Sequence, residues 1–171
     1  MHRGITAVRS GNPVTHAFIG AHRLGLISDT HGLMRPEALG ALRSSDLIIH
    51  AGDVGDLSIL EGLKRIAPTI AIRGKVDDKL WPLPATAFFE AGPALIYIVH
   101  DVNDLDIDPA AVGVQIVVSG HSHRASQTER AGVLYINPGS AGPRRFRLPV
   151  SIAKLDLAKR PWSTAFIELK I

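Results

Sequence analysis

Two histidines spaced i, i+2 in Gly120-His121-Ser122-His123 follow directly on the apolar run Gln115-Ile116-Val117-Val118-Ser119. Four β-favouring residues bounded by Ser and Gly read as a buried strand, so the histidines stand where a strand leaves its sheet. Residues two apart in extended chain point the same way. Two imidazoles aimed at one point suit a cation, and repel each other when both are protonated. Other apolar runs end in residues of the same kind: Asp29 and His31, Asp53, Lys75 and His100. Gly32, Gly52, Gly74 and Gly120 lie beside them, where backbones must turn sharply or approach closely. A single Asp or His at a strand end is ordinarily a turn or a cap. Four strand ends carrying them together, with Lys75 at a fifth, point to a metal centre beyond the carboxyl ends of the strands, where open α/β sheets bind ligands.

The elements that must deliver these residues begin with a strand at 23–28. Pro36 then opens a short helix with Ala38, Leu39, Ala41 and Leu42 on one face. Residues 47–50 form a second strand, and Ser58-Ile59-Leu60-Glu61 fits a capping box opening a helix that Pro68 stops. Residues 69–72 form a third strand, and this alternation implies parallel pairing through right-handed crossovers. After a proline-bearing loop that includes Trp81, residues 85–90 and 94–99 read as a hairpin across Ala91-Gly92-Pro93. An acidic loop comes next, with Asp101, Asp104, Asp106 and Asp108 and one helical turn at 109–112. Strands at 115–119, 125–129, 133–136, 151–157 and 163–169 complete the pattern, with Asn137-Pro138-Gly139-Ser140 a tight turn. The expected architecture is α/β, two mixed sheets face to face with helices outside.

Composition limits the alternatives. A chain of 171 residues buries enough surface for one self-sufficient core. With no cysteine, any metal must be held by nitrogen and oxygen, and a cytoplasmic location is expected. The net charge of +3 owes much to Arg144, Arg145 and Arg147 and is too mild to mark a nucleic-acid binder. No apolar run approaches the roughly 18–20 residues that span a bilayer. Residues 1–22 are expected to be an extension ahead of the fold, a mobile one if nothing docks it, with one domain over 23–171.

Asp29-x-His31, Gly52-Asp53, Gly74-Lys75-Val76-Asp77, His100 and Gly120-His121-Ser122-His123 resemble the calcineurin-like metallophosphoesterase superfamily, in particular its small YfcE-like phosphodiesterase branch. The resemblance runs from about Arg23 to Leu157. It implies a four-layer α/β/β/α sandwich with two divalent metals, often manganese. By that pattern Asp29, His31 and His123 hold one metal, His100 and His121 hold the other, and Asp53 bridges them. The mixed Asp/His donor set also suits iron, nickel or zinc. Two such cations clamp a phosphate and activate a shared water, so a metal-bound hydroxide is the expected nucleophile and a small phosphoester the expected substrate. Asp53, His100 and Lys75 are the residues expected to carry the reaction.

Two departures stand out. The family pattern has Gly-Asn where this chain has Gly74-Lys75, and a protonated ammonium has no lone pair for a metal. Either Lys75 pairs with Asp53 and replaces the second metal, leaving one ion per chain, or it swings away to bind substrate phosphate and two ions remain. The second is preferred, because His100 and His121 otherwise have nothing to bind. Larger relatives place a leaving-group-protonating His where this chain has Val76, and a missing general acid forfeits about 10²–10⁴-fold in rate. Phosphodiesters with good leaving groups are therefore the expected substrates. The rival is a binding scaffold with a site weakened by Lys75, like the phosphoesterase-like subunit of retromer. A nuclease is disfavoured, since no extended basic, aromatic-studded surface is evident. His50 is expected to be a satisfied histidine beneath the site, and Asp101 a member of the solvated acidic loop.

Overall fold

The computed structural model describes residues 16–80 and 82–171; Trp81 and residues 1–15 lie outside the described residues. In chain order the elements are β1 (His16–Phe18), β2 (Arg23–Ile27), α1 (Pro36–Leu42), β3 (Leu47–His50), α2 (Leu57–Lys64) and β4 (Thr69–Ala71). Then come β5 (Thr86–Ala91), β6 (Ala94–Val99), β7 (Ile116–Val118), β8 (Ala125–Arg130), β9 (Val133–Pro138), β10 (Ser151–Asp156) and β11 (Ser163–Glu168). They form a six-stranded sheet in the order β1-β5-β6-β7-β9-β8 and a five-stranded sheet in the order β11-β10-β2-β3-β4. Both sheets are mixed. β2, β3 and β4 run parallel, as do β6, β7 and β9, while β5–β6 and β8–β9 are hairpins.

Side-chain alternation sorts the apolar residues into layers. Leu24, Leu26, Leu47 and Ile49 of one sheet meet Ile96, Ile98, Ile116, Val118 and Ile136 of the other in the central core. The opposite face of the five-stranded sheet offers Ile27, Ile48 and Ile152 to Ala38 and Leu42 of α1 and to Ile59, Leu60 and Leu63 of α2. Pro36 stands at the first turn of α1, where its missing N–H is no loss. The cap of α2 differs from the expected Ser58 box: the Asp56 carboxylate accepts from the Ser58 N–H at 2.8 Å, starting the helix at Leu57.

The fourth layer is thin. Tyr97, Val99, Val117 and Val133 on the outer face of the six-stranded sheet are covered by Leu105, Ile107 and Val114. Between β6 and β7 the described helical structure is one 3₁₀ turn, Val102–Asp104, and residues 109–112 make turns rather than a helix. Pro109 and Gly113 flank only three residues, too few for a stable helix.

The boundary expected at Arg23 lies too late. Residues His16, Ala17 and Phe18 pair in parallel with Phe89, Glu90 and Ala91. Ala17 is buried, and the Phe18 ring meets Phe89 edge-on, with centroids 6.2 Å apart. Three residues are too short a run to announce a strand by periodicity; the partner some 70 residues on makes it one. We predict that Ala17→Asp, which buries an unpaired carboxylate, lowers stability by about 3 kcal/mol and the melting temperature by roughly 6–12 °C. An unchanged melting curve would return these residues to the status of an extension.

Candidate metal centre

The parallel pairs β2–β3 and β6–β7 lie in opposite sheets, and their carboxyl ends open onto one pocket. Backbone hydrogen bonds join the loops within each sheet: the Asp29 N–H donates to the Gly52 carbonyl at 3.0 Å, His31 to Asp53 at 2.9 Å and Gly120 to His100 at 2.9 Å. Side chains tie the two sheets together. The His121 N–H donates to Asp29 Oδ2 at 3.2 Å, and Ser140 Oγ donates to the Asp29 carbonyl at 3.1 Å. Two glycines allow the close approach. A Cβ on Gly120 would strike Ser28 Oγ and stand 2.7 Å from Asp29 Oδ2, and one on Gly74 would strike Asp53 Oδ1.

Among the described residues seven non-glycines have positive φ, and five are expected ligands: Asp29 (56°), His31 (47°), Asp53 (54°), His121 (68°) and His123 (60°). Each left-handed residue costs roughly 1–2 kcal/mol and persists only where its surroundings enforce it. Here the surroundings are the hydrogen bonds that join the loops.

Asp29 Oδ1 is the hub. Around it stand His123 Nε2 at 3.3 Å, His100 Nε2 at 3.9 Å and His31 Nε2 at 4.0 Å. Asp53 Oδ2 lies 3.3 Å from His100 Nε2 and 3.7 Å from His31 Nε2. Asp29 Oδ1, His31 Nε2 and His100 Nε2 are buried, yet none has a hydrogen-bond partner. The His100–Asp53 contact is close but off the line of a hydrogen bond. His100 Nδ1 sits 2.7 Å from the Ala51 carbonyl, so it carries the proton and leaves the Nε2 lone pair facing the pocket. Buried polar atoms are otherwise almost always paired, and donors sharing one first-row ion stand about 3–4 Å apart. The residues therefore fit a divalent cation. Two overlapping donor sets qualify, Asp29/His31/His123 and Asp29/Asp53/His100.

Charge and burial compete at each group. Burial pushes the Asp53 carboxyl up, but His100, the Val76 N–H and His31 outweigh it and hold the group well below the usual carboxylate range. Burial pulls His31 below its ordinary value despite Asp53 and Asp29, with the Arg145 charge acting in the same direction as burial. For His100, burial lowers the value, but Asp53, the Ala51 carbonyl and Asp29 together leave it raised.

The floor beneath the pocket is a second polar layer. His50 is fully buried; Nδ1 accepts from the Gly52 N–H at 3.2 Å, and Nε2 lies 2.9 Å from Thr30 Oγ1, which donates to the Val54 carbonyl at 2.9 Å. Those partners select the neutral ring with its proton on Nε2, and burial pulls its pKa down to about 4. Asp77, also fully buried, accepts from the N–H groups of Val54, Gly55 and Gly74 at 2.9, 2.9 and 2.8 Å. It holds the loops after β3 and β4 together, a role its position in Gly74-Lys75-Val76-Asp77 hints at without revealing. Asn137 does the same for the histidine loop, donating to the Gly120 carbonyl at 2.8 Å and Ser122 Oγ at 3.0 Å. The Asn-Pro-Gly-Ser turn is thus a clamp on the site as well as a turn.

Lys75, His121 and Asp101 form a group of their own at the edge of the pocket. Lys75 Nζ lies 3.5 Å from Asp101 Oδ2, so its carboxylate partner is Asp101 rather than Asp53. His121 Nε2 is 3.4 Å from the same Asp101 oxygen, outside both donor sets. Asp101 is buried, whereas Asp104, Asp106 and Asp108 are exposed. It comes directly after His100 at the strand end and caps the 3₁₀ turn, accepting from Asn103 N at 3.0 Å and Asn103 Nδ2 at 3.1 Å. Its adjacency to His100 is the signal the sequence offers.

Residues 23–160 match the calcineurin-like phosphoesterase superfamily domain. A probable metallophosphoesterase of Methanocaldococcus jannaschii is 34% identical over 152 residues, covering 81% of this chain and 77% of that protein. In fold the chain is similar to an archaeal phosphodiesterase, at a TM-score of 0.69 and 22% identity over 85% of this chain and 99% of the other. It is similar also to a Vps29 of Entamoeba histolytica complexed with Zn²⁺, at a TM-score of 0.65 and 19% identity over 86% and 99%.

The depressed pKa of His50 predicts a specific acid sensitivity. The unfolded chain takes up a proton near pH 6.5 that the folded chain refuses until about pH 4, so this contribution is complete above 6.5 and lost as pH falls towards 4. In metal-free protein, denaturant titrations at pH 7 and pH 4.5 should show wild type losing about 2 kcal/mol more than His50→Asn. Equal losses would contradict the assignment.

Proposed function

This chain belongs to the calcineurin-like phosphoesterase superfamily, and from that membership we propose that it is a metal-dependent phosphodiesterase acting on small phosphodiesters. The observation that carries the reading is the convergence of unpartnered Asp29 Oδ1, His31 Nε2 and His100 Nε2 in one buried pocket. A divalent ion held there by Asp29, His31, His123, Asp53 and His100 would supply positive charge to the phosphoryl oxygens and acidify water for attack on phosphorus. The chain's own residues do the rest. Asp29, Asp53, His31, His100 and His123 form the donor set, and the Ala51 carbonyl keeps the His100 lone pair turned inward. Arg145 is exposed on the loop after Ser140, and its charge reaches His31, so it is placed to draw an anionic substrate to the mouth.

Val76 is 55% exposed beside Asp53, to which its N–H donates at 3.1 Å. A valine cannot protonate a leaving group, which favours phosphodiesters with stable leaving anions. Nitrogen and oxygen donors without thiolate suit manganese, with iron, nickel and zinc as the other candidates. A cytoplasmic location belongs to the same reading, resting on a sequence free of cysteine. Among the described residues no helix is long and apolar enough to cross a membrane.

The test is hydrolysis of bis-p-nitrophenyl phosphate with manganese. Wild type should turn it over, and Asp53→Asn should lower kcat by at least about 10³-fold while keeping a cooperative melt. The rival reading, a binding scaffold on the same fold, predicts bound metal with no hydrolysis in either protein.

A further inference from the structure

Resting on the metal-dependent reading, we propose that the centre holds one divalent ion per chain, and that the Lys75 ammonium, positioned by Asp101, supplies the second positive charge that grips the substrate phosphate. Five of the six expected ligands crowd around Asp29 Oδ1 and Asp53 Oδ2. The sixth, His121, faces Asp101 at 3.4 Å, and no set of three donor residues found among the described residues includes it. The two donor sets share Asp29, so they overlap at one oxygen-centred site. At the edge where His121 stands, the one carboxylate beside it, Asp101, also faces the Lys75 ammonium.

Lys75 and His121 share one oxygen, Asp101 Oδ2, at 3.5 and 3.4 Å. The His121 ring is in turn 5.4 Å, centroid to centroid, from the ring of His100. A protonated amine offers no lone pair, and it repels a second divalent cation.

The backbone on either side of Lys75 is fixed: the Gly74 N–H donates to Asp77 at 2.8 Å and the Val76 N–H to Asp53 at 3.1 Å. The side chain alone is free to reach, and it is 59% exposed against 11% for Asp101. Asp101 is pinned by the two Asn103 bonds, so the carboxylate is the fixed partner and the ammonium the part open to an incoming anion. Lys75 is then a catalytic residue that contacts phosphate, and Asp101 a positioning residue.

The full chain, loaded with excess Mn²⁺ and freed of unbound metal by gel filtration, is counted for metal by mass spectrometry, with thermal melts as the check on folding. We expect one ion per chain in wild type and two in Lys75→Asn, where an amide oxygen replaces the ammonium. Two ions in wild type would overturn the proposal and leave the metal-dependent reading standing. One ion in both proteins would overturn it by showing that the lysine excludes nothing, and no ion in wild type would overturn both. Calorimetry with inorganic phosphate at one equivalent of Mn²⁺ tests the grip separately. Lys75→Met should bind phosphate about tenfold more weakly than wild type and Asp101→Asn a few-fold more weakly. Equal affinity across the three would overturn the role given to the lysine.

Discussion

A buried carboxylate oxygen with no hydrogen-bond donor is unstable unless something positive stands beside it, and Asp29 Oδ1 is such an atom. Three imidazole nitrogens surround it within 4.0 Å, two of them without hydrogen-bond partners of their own. Protonating the imidazoles would satisfy the oxygen at the expense of crowding cations together. A divalent ion satisfies the unpartnered donors without crowding cations together, and two overlapping donor sets could hold one. The geometry of both sheets is arranged around that requirement.

Both sheets contribute donors, and each of the two donor sets draws on both. The five-stranded sheet brings Asp29, His31 and Asp53, and the six-stranded sheet brings His100 and His123. Their strands are held about one core apart by Leu24, Leu26, Ile96 and Ile98, so the loops must lean across the gap to meet. Left-handed backbone at Asp29, His31, Asp53 and His123 is the form that leaning takes. The strain is sustained by polar supports that touch no substrate: Asp77 across three backbone N–H groups, Asn137 across the histidine loop, and neutral His50 between Gly52 and Thr30. Buried networks of this kind stabilise only when every member is satisfied, and these three are.

The site is largely legible in the sequence because each ligand comes at the end of an apolar run, and strand ends can be read locally. Asp29, His31 and His123 come together in one donor set, and Asp29, Asp53 and His100 in another. What escapes it depends on partners distant in sequence. β1 exists through its pairing with β5, and three residues carry no period of their own. Asp101 looks like one of four loop aspartates, and only its place at the end of β6 separates a buried carboxylate from three exposed ones. Lys75 is conspicuous as the odd residue, yet its partner cannot be read, because Asp53 and Asp101 are equally acidic in sequence. The helical turn expected at 109–112 fails for the opposite reason: a nearby proline and glycine, legible in the sequence, limit the segment to turns.

A cation held in the one pocket that both sheets feed is directly observable. Anomalous diffraction at the manganese edge from crystals grown with Mn²⁺ tests it most directly. A peak is expected about 2.1–2.3 Å from the donor atoms of one of the two sets, Asp29/His31/His123 or Asp29/Asp53/His100. Full-strength anomalous signal elsewhere on the chain, with none between these atoms, would contradict it.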